Sequence, residues 1–196
     1  MAAQQVVSDE GFFPRTFSIF RKIWRGFGFA LLLALLFTVA TRQDAGAIVS
    51  DQCFATPDNG TTVFGSTDAG AVQEAVDAAS AGDTVKVAGM CFGVNSVGGA
   101  AQSVYISKTL TLAGGYTTTN WTLSDPVANP TGINATSLGR VLRIVTEAPG
   151  SNPAIDVRIE NIRLVAGLSS LPGGGVSVEE ANAIFSDTVV LNNTTT

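Results

Sequence analysis

The sequence predicts an all-β solenoid preceded by one amphipathic helix, in a domain exported from the cytoplasm. Three observations point there. Strand-like runs rich in Val, Ile, Thr and Leu fill the chain after Gly82, separated by Gly, Pro, Asn and Ser. Segments of strand-then-turn character recur with a degenerate period of roughly 24 to 28 residues. The apolar/polar alternation changes phase at an asparagine, as a corner between two strands requires.

Export is read from residues 1–47. Arg15, Arg21, Lys22 and Arg25 form a positive region, Gly26 to Ala40 is apolar, and Ala45-Gly46-Ala47 is a small-x-small cleavage pattern. The apolar run is shorter than the roughly 20 residues that span a bilayer as a helix, which favours a cleaved signal peptide; an uncleaved anchor is the alternative. The remaining chain carries thirteen acids and six bases, a net charge of about −7. That balance, with no basic patch, excludes nucleic acid as a partner and leaves the N-terminal segment, if uncleaved, as the sole membrane contact. Both cysteines, Cys53 and Cys91, fall in the exported part. In an oxidising compartment they are expected to form a disulfide closing a loop of 38 residues.

Residues 48–67 read as an irregular lead-in with a turn at Pro57-Asp58-Asn59-Gly60. A helix follows over 68–81. Asp68 is its expected N-cap, Ala71, Val72, Ala75, Val76 and Ala79 share one face, and Gln73, Glu74 and Asp77 share the other. Gly82 stands where a helix C′ glycine belongs. The strand candidates are 84–88, 104–107 with 109–112, 140–145, 155–160 with 162–164, 175–178 and 188–191. Leu112, Leu164 and Val190 anchor three overlaid segments, 52 and 26 residues apart, with 140–145 filling the wider gap. About four coils result, each burying its apolar side only against the next. The rival fold is a β-sandwich, which calls for tight Asn-Gly or Asp-Gly hairpins; only Asn59-Gly60 has that form, ahead of the strands.

The run Gly70-Ala71-Val72-Gln73-Glu74-Ala75-Val76-Asp77-Ala78-Ala79, then Ala81-Gly82-Asp83-Thr84-Val85-Lys86-Val87, resembles the cap helix and first strand of right-handed parallel β-helix, pectin-lyase-like proteins. Val72 and Val76 stand where that pattern has its aliphatic residues. The segments 109–116, 161–167 and 187–193 resemble coils of polymorphic outer-membrane or surface-protein repeats. Over residues 68–196 the resemblance implies a parallel β-helix with the helix covering its N-terminal end, where an open first coil would invite edge pairing.

Chemistry is sparse. The chain has no His, which removes Ser-His-Asp triads and His-ligated zinc. Asp156, Arg158 and Glu160 share one strand face and read as a solvated surface of opposite charges. Glu179-Glu180 point to opposite faces unless the chain turns there. Gly173-Gly174-Gly175 lacks the Lys-Ser/Thr and the helix of a phosphate loop and reads as a flexible turn. Asn59, Asn120, Asn134, Asn192 and Asn193 open N-x-Ser/Thr triplets. No catalytic, cofactor-binding or metal-binding set stands out, and no cofactor is expected. Tyr116 and Trp121, in a long loop from Gly115 to Gly139, either stack on a sugar ring or pack the loop onto the coils.

The expected function is that of an exported, non-enzymatic surface or extracellular protein, adhesin-like or structural. The alternatives are a polysaccharide lyase or hydrolase fragment lacking its active-site coils, and a glycan-binding module. A polysaccharide or cell-surface glycan is the partner the two alternatives share; the first reading expects neither cleavage nor binding of sugar. The chain stops at Asn192-Asn193-Thr194-Thr195-Thr196 directly after a strand, so further coils are expected beyond Thr196.

Overall fold

The computed structural model describes residues 52–97, 99–147 and 154–196, so residues 1–47, where the sequence predicts an export signal, lie outside the described residues. The chain opens with strands β1 (Cys53–Thr56) and β2 (Phe64–Ser66) and helix α1 (Gly70–Ala78). The strands β3 (Thr84–Phe92), β4 (Asn95–Val97), β5 (Ala100–Ile106), β6 (Leu110–Ala113), β7 (Thr131–Asn134) and β8 (Arg140–Val145) follow. Then come β9 (Asp156–Glu160), β10 (Ile162–Val165), β11 (Leu168–Ser169), β12 (Val176–Glu179), β13 (Asn182–Ser186), β14 (Val189–Leu191) and β15 (Thr194–Thr195). The protein is thus mostly β with one helix among the described residues.

Parallel ladders organise these strands. β3, β6, β9 and β13 form the first, in which Val85, Leu112, Ile159 and Phe185 lie in register. The second half of β3 joins β7, β10 and β14, aligning Cys91, Ile133, Leu164 and Val190. β5, β8 and β12 make a third ladder, with Val104, Leu142 and Val176 aligned, and β11 pairs β15. Because β3 belongs to both of the first two ladders, they form one curled sheet. The chain visits first ladder, second ladder and third ladder in that order, then returns to the first. This parallel pairing excludes the β-sandwich alternative, whose sheets are antiparallel.

Aligned aliphatic residues make the core. Val85, Leu112, Ile159, Cys91, Ile133, Leu164, Val104 and Leu142 are fully buried. In the last pass the aligned positions open: Phe185 is 40 % exposed and Val190 51 %. Stacking on both sides is what buries a pass, and β13 and β14 have a parallel neighbour on one side.

Several corners follow the expected chemistry. Asn161, between β9 and β10, takes φ 56°, and Asp187 and Asn192 take 50° and 56°. The segment 173–175 is a turn between β11 and β12, with Gly173 at φ 88°; Gly174 and Gly175 are buried in it, and their carbonyls accept from Val141 and Leu142. A Cβ on Gly174 would lie 2.1 Å from the Thr194 carbonyl oxygen, so the neighbouring pass leaves room for glycine alone.

Other expectations are corrected. The lead-in is not irregular: β1 pairs antiparallel with both β2 and β3. The loop 115–139 contains β7, which sits inside the second ladder. Leu112 aligns with Ile159, not with Leu164, and β8 lies in a different ladder from both. Of the overlaid anchors, Leu164 and Val190 do lie in register. Successive passes differ in length because loops such as 114–130 are inserted between ladders, which blurs the period.

α1 buries Ala71, Val72, Ala75 and Val76, the face its spacing predicts, and packs on β1, β2, β3 and β5. It is shorter than 68–81, and Ala69 is its N-cap. Asp68 lies one residue outside, yet its Oδ1 still accepts the Gly70 N–H at 2.8 Å, satisfying one orphan donor of the first turn. Gly82 is four residues past the helix end, in the turn before β3, rather than at C′. Gln73 is buried rather than solvated. Its Oε1 accepts the Tyr105 N–H at 2.7 Å and its Nε2 donates to the Tyr105 carbonyl at 3.2 Å. β4 covers β5 only over Ala100–Gln102, so this amide serves the remaining strand edge as a third strand would.

Cys53 and Cys91 form a disulfide, both fully buried, that ties β1 to β3. For a separation of 38 residues, the chain-entropy model gives about 4 kcal/mol at most. Reduction, or a Cys53→Ser/Cys91→Ser double change, is expected to lower the melting temperature by roughly 10 °C, read by circular dichroism with and without reductant. Ile159→Ala is expected to cost about 2–5 kcal/mol in urea unfolding. Ile184→Ala, on the outward side of the neighbouring strand at 56 % exposure, should change stability by about 0.5 kcal/mol or less.

Candidate functional site

Alternation along the first ladder sends Val85, Leu112 and Ile159 inward, so Thr84, Lys86, Thr111, Arg158 and Glu160 face out. Two hollows adjoin on this outer face and share Gly82 and Thr111. The larger, of about 570 Å³, is walled by Pro57 and Asn59 of the β1–β2 turn and by Tyr116, with Asp83, Lys86 and Glu160 in its lining. The smaller, of about 210 Å³, runs over Asp156, Arg158 and Asn182 toward Ile184. Together they make a shallow trough across four stacked strands, β3, β6, β9 and β13.

The walls are held by local chemistry. Asp58 organises the turn at one side: its carboxylate accepts from the Thr62 N–H and the Thr56 hydroxyl. The Thr62 N–H holds its pKa below the usual carboxylate range. At the other side Lys86 Nζ lies 5.0 Å from the Tyr116 ring centroid and donates to the Trp121 carbonyl. Burial, and secondarily the Glu160 charge, push the Tyr116 phenol above its ordinary value.

Tyr116 and Trp121 are thus brought together, with ring centroids 6.3 Å apart, but they are not equivalent. Tyr116 is partly exposed beside the trough. Trp121 is 6 % exposed and lies under the β1–β2 turn. A Cβ on Gly60 would approach its Cδ1 to 2.4 Å, and Gly60 also takes φ +93°. Its indole therefore packs the loop onto the strands.

On the floor, each carboxylate has a fixed neighbour. Asp156 Oδ1 accepts from Asn182 Nδ2 at 2.9 Å. Arg158 pairs with Glu160 and also donates to the Ser186 hydroxyl at 3.2 Å. Asp156 and Glu160 stand four residues apart on one strand, about 13 Å between their Cα atoms. The carboxyl pairs of glycosidases lie about 5–9.5 Å apart. Among the described residues no group of three or more His, Cys, Asp or Glu side chains gathers as a metal site.

A second polar cluster occupies the outer face of the third ladder. Arg143 forms a two-point pair with Glu179 at 3.1 and 3.0 Å, its guanidinium sits 5.7 Å from the Tyr105 ring centroid, and Ser177 also donates to Glu179. The chain does turn after Glu179, where Glu180 takes φ 51°. The N-x-Ser/Thr asparagines have local work too. Asn120 accepts from Thr122 and Leu123, Asn134 accepts from Thr136, and Asn193 bridges Gly167 and Leu164.

No protein-family model, characterised protein or solved structure matches this chain.

The Arg143 hydrogen bonds hold the Glu179 pKa below the ordinary range. A carboxylate depressed in the folded state stabilises above the unfolded value, roughly pH 4.3, and loses that contribution as pH falls through the lowered folded value. Glu179→Gln is expected to destabilise at pH 7 by about 1 kcal/mol or less, since the pair is solvent-screened. The gap to wild type should close on acidification below pH ~4, followed by urea midpoints across a pH series.

Proposed function

We propose that the chain is an exported right-handed parallel β-helix whose task outside the cytoplasm is recognition or structural support rather than catalysis. The observation that carries this reading is the fixed pairing on the trough floor. Asp156 with Asn182 and Glu160 with Arg158 present a pattern of paired polar groups, and the two acids stand farther apart along the strand than the carboxyl pair of a glycosidase. The ordered return of the chain through three parallel ladders supports the helical stack. Right-handed crossovers are the rule for parallel strands of one sheet. The disulfide supports an oxidising compartment.

A second reading, in which the trough holds a glycan, is favoured by one feature. The partly exposed Tyr116 ring, braced by Lys86, stands beside a polar floor as a sugar-stacking platform would. The lyase or hydrolase alternative draws no such support from the separation of Asp156 and Glu160.

The test is twofold. The full-length chain is followed by fractionation of its source cell with thiol labelling, and the purified protein is incubated with a polysaccharide panel. Expected are an extracytoplasmic protein with no free thiol and no release of reducing ends or unsaturated products. Cytosolic protein with two free thiols, or sugar cleavage, overturns the reading. If the trough is a glycan site, Tyr116→Ala abolishes retention on polysaccharide while the circular dichroism spectrum is unchanged.

A further inference from the structure

Arg140 is the first residue of β8, in phase with the buried Leu142 and Ile144 rather than with the outward Arg143. It therefore points inward, aligned with Gln102 of β5. It is 6 % exposed, its buried Nε has no hydrogen-bond partner, and its guanidinium makes no ion pair among the described residues. The adjacent Gln102 Oε1 is likewise buried and unpartnered, its amide nitrogen being spent on the Val97 carbonyl. Glu179, the acid whose field Arg140 reaches, is already held at two points by Arg143.

A guanidinium keeps its charge, and the buried Arg140 Nε–H is left without an acceptor, which is unfavourable. What offsets that cost is an oxyanion able to take two parallel N–H donors. Arg140 lines a cavity of about 430 Å³ at the side of the stack, between the start of β5, the 137–139 turn and the segment after β11. That volume lies in the range of small-molecule sites. No acidic side chain lines it, and the last residue of the sequence, Thr196, forms part of its wall. Ser137, Ser169 and Ser170 supply hydroxyls, and Leu138 and Leu171, 66 % and 59 % exposed, stand in its wall as an apolar rim.

We propose that this cavity binds a small organic carboxylate, its charged end on Arg140 and its aliphatic body against Leu138 and Leu171. The site is separate from the trough on the first ladder, so its failure leaves the proposed function untouched.

The test is a thermal-shift and calorimetric titration of the full chain with acetate, butyrate and hexanoate at constant ionic strength, with hexanol and chloride as controls. Expected is a rise in melting temperature that grows with chain length, reaching roughly 5–10 °C at about 100-fold excess over Kd. Neither control should produce it. Arg140→Met should fold at an unchanged or higher melting temperature without carboxylate, because a buried donor without an acceptor has gone, and should lose the shift. Arg140→Lys should weaken binding by about tenfold or more, since it keeps the charge but not the fork. An equal response in Arg140→Met, or no response in wild type, overturns the proposal. Should Arg140→Met not fold, the Arg140 Nε–H resonance of wild type decides: it must move on titration with hexanoate, and a stationary resonance overturns the proposal.

Discussion

Every part of this structure depends on parallel strands meeting in register, so that aliphatic side chains of successive passes stand on one another. A strand of four or five residues, such as β6 or β9, buries little by itself. Once Leu112 lies over Val85 and under Ile159, all three leave water completely. The half-exposed Phe185 and Val190 give the same rule from the other side, since a pass with one stacked neighbour keeps part of its core in solvent. The opposite end is managed differently: β1 runs antiparallel along β3, α1 lies over the stack, Gln73 occupies the free edge of β5, and the buried disulfide binds β1 to β3.

Stacking also decides where chemistry sits. Residues out of phase with the core are delivered to the outer face at the spacing of neighbouring strands, which is how Lys86, Arg158 and Glu160 come to share one trough. Those in phase go inward whatever their polarity, and there a polar group needs a partner. Thr131 finds one in the Gly115 N–H and the Val87 carbonyl. Arg140 Nε does not, nor does the neighbouring Gln102 Oε1, so two unmet polar atoms meet beside the cavity that Arg140 lines.

Much of the fold is legible in the residues. Alternating runs mark β8, β9 and β10 almost to the residue, the asparagine corner at 161 is real, and the helical spacing picks the buried face of α1. The missed strands are instructive. Thr131-Gly132-Ile133-Asn134 has one aliphatic side chain and a glycine, so local propensity argues for a loop. It is a strand because Cys91 and Leu164 flank Ile133 in the ladder. The candidate site is less legible. Tyr116 and Trp121 read as a pair of loop aromatics, but only packing separates the partly exposed ring from the one under Gly60. For Arg140 a signal existed: a charge in phase with Leu142 and Ile144.

The sequence by itself determined part of the elements: that segments such as β8, β9 and β10 extend, which face of the one helix is buried, where the corner at Asn161 falls, and that two cysteines were available to each other. These are properties of neighbouring residues, carried by periodicity and backbone preference. Only the tertiary structure decided which strand lies on which, since unequal insertions such as 114–130 shift the period and leave several overlays open. It alone set Leu112 on Ile159, gave Glu179 to Arg143, and left Arg140 facing a cavity, because such pairings depend on contacts between residues tens of positions apart.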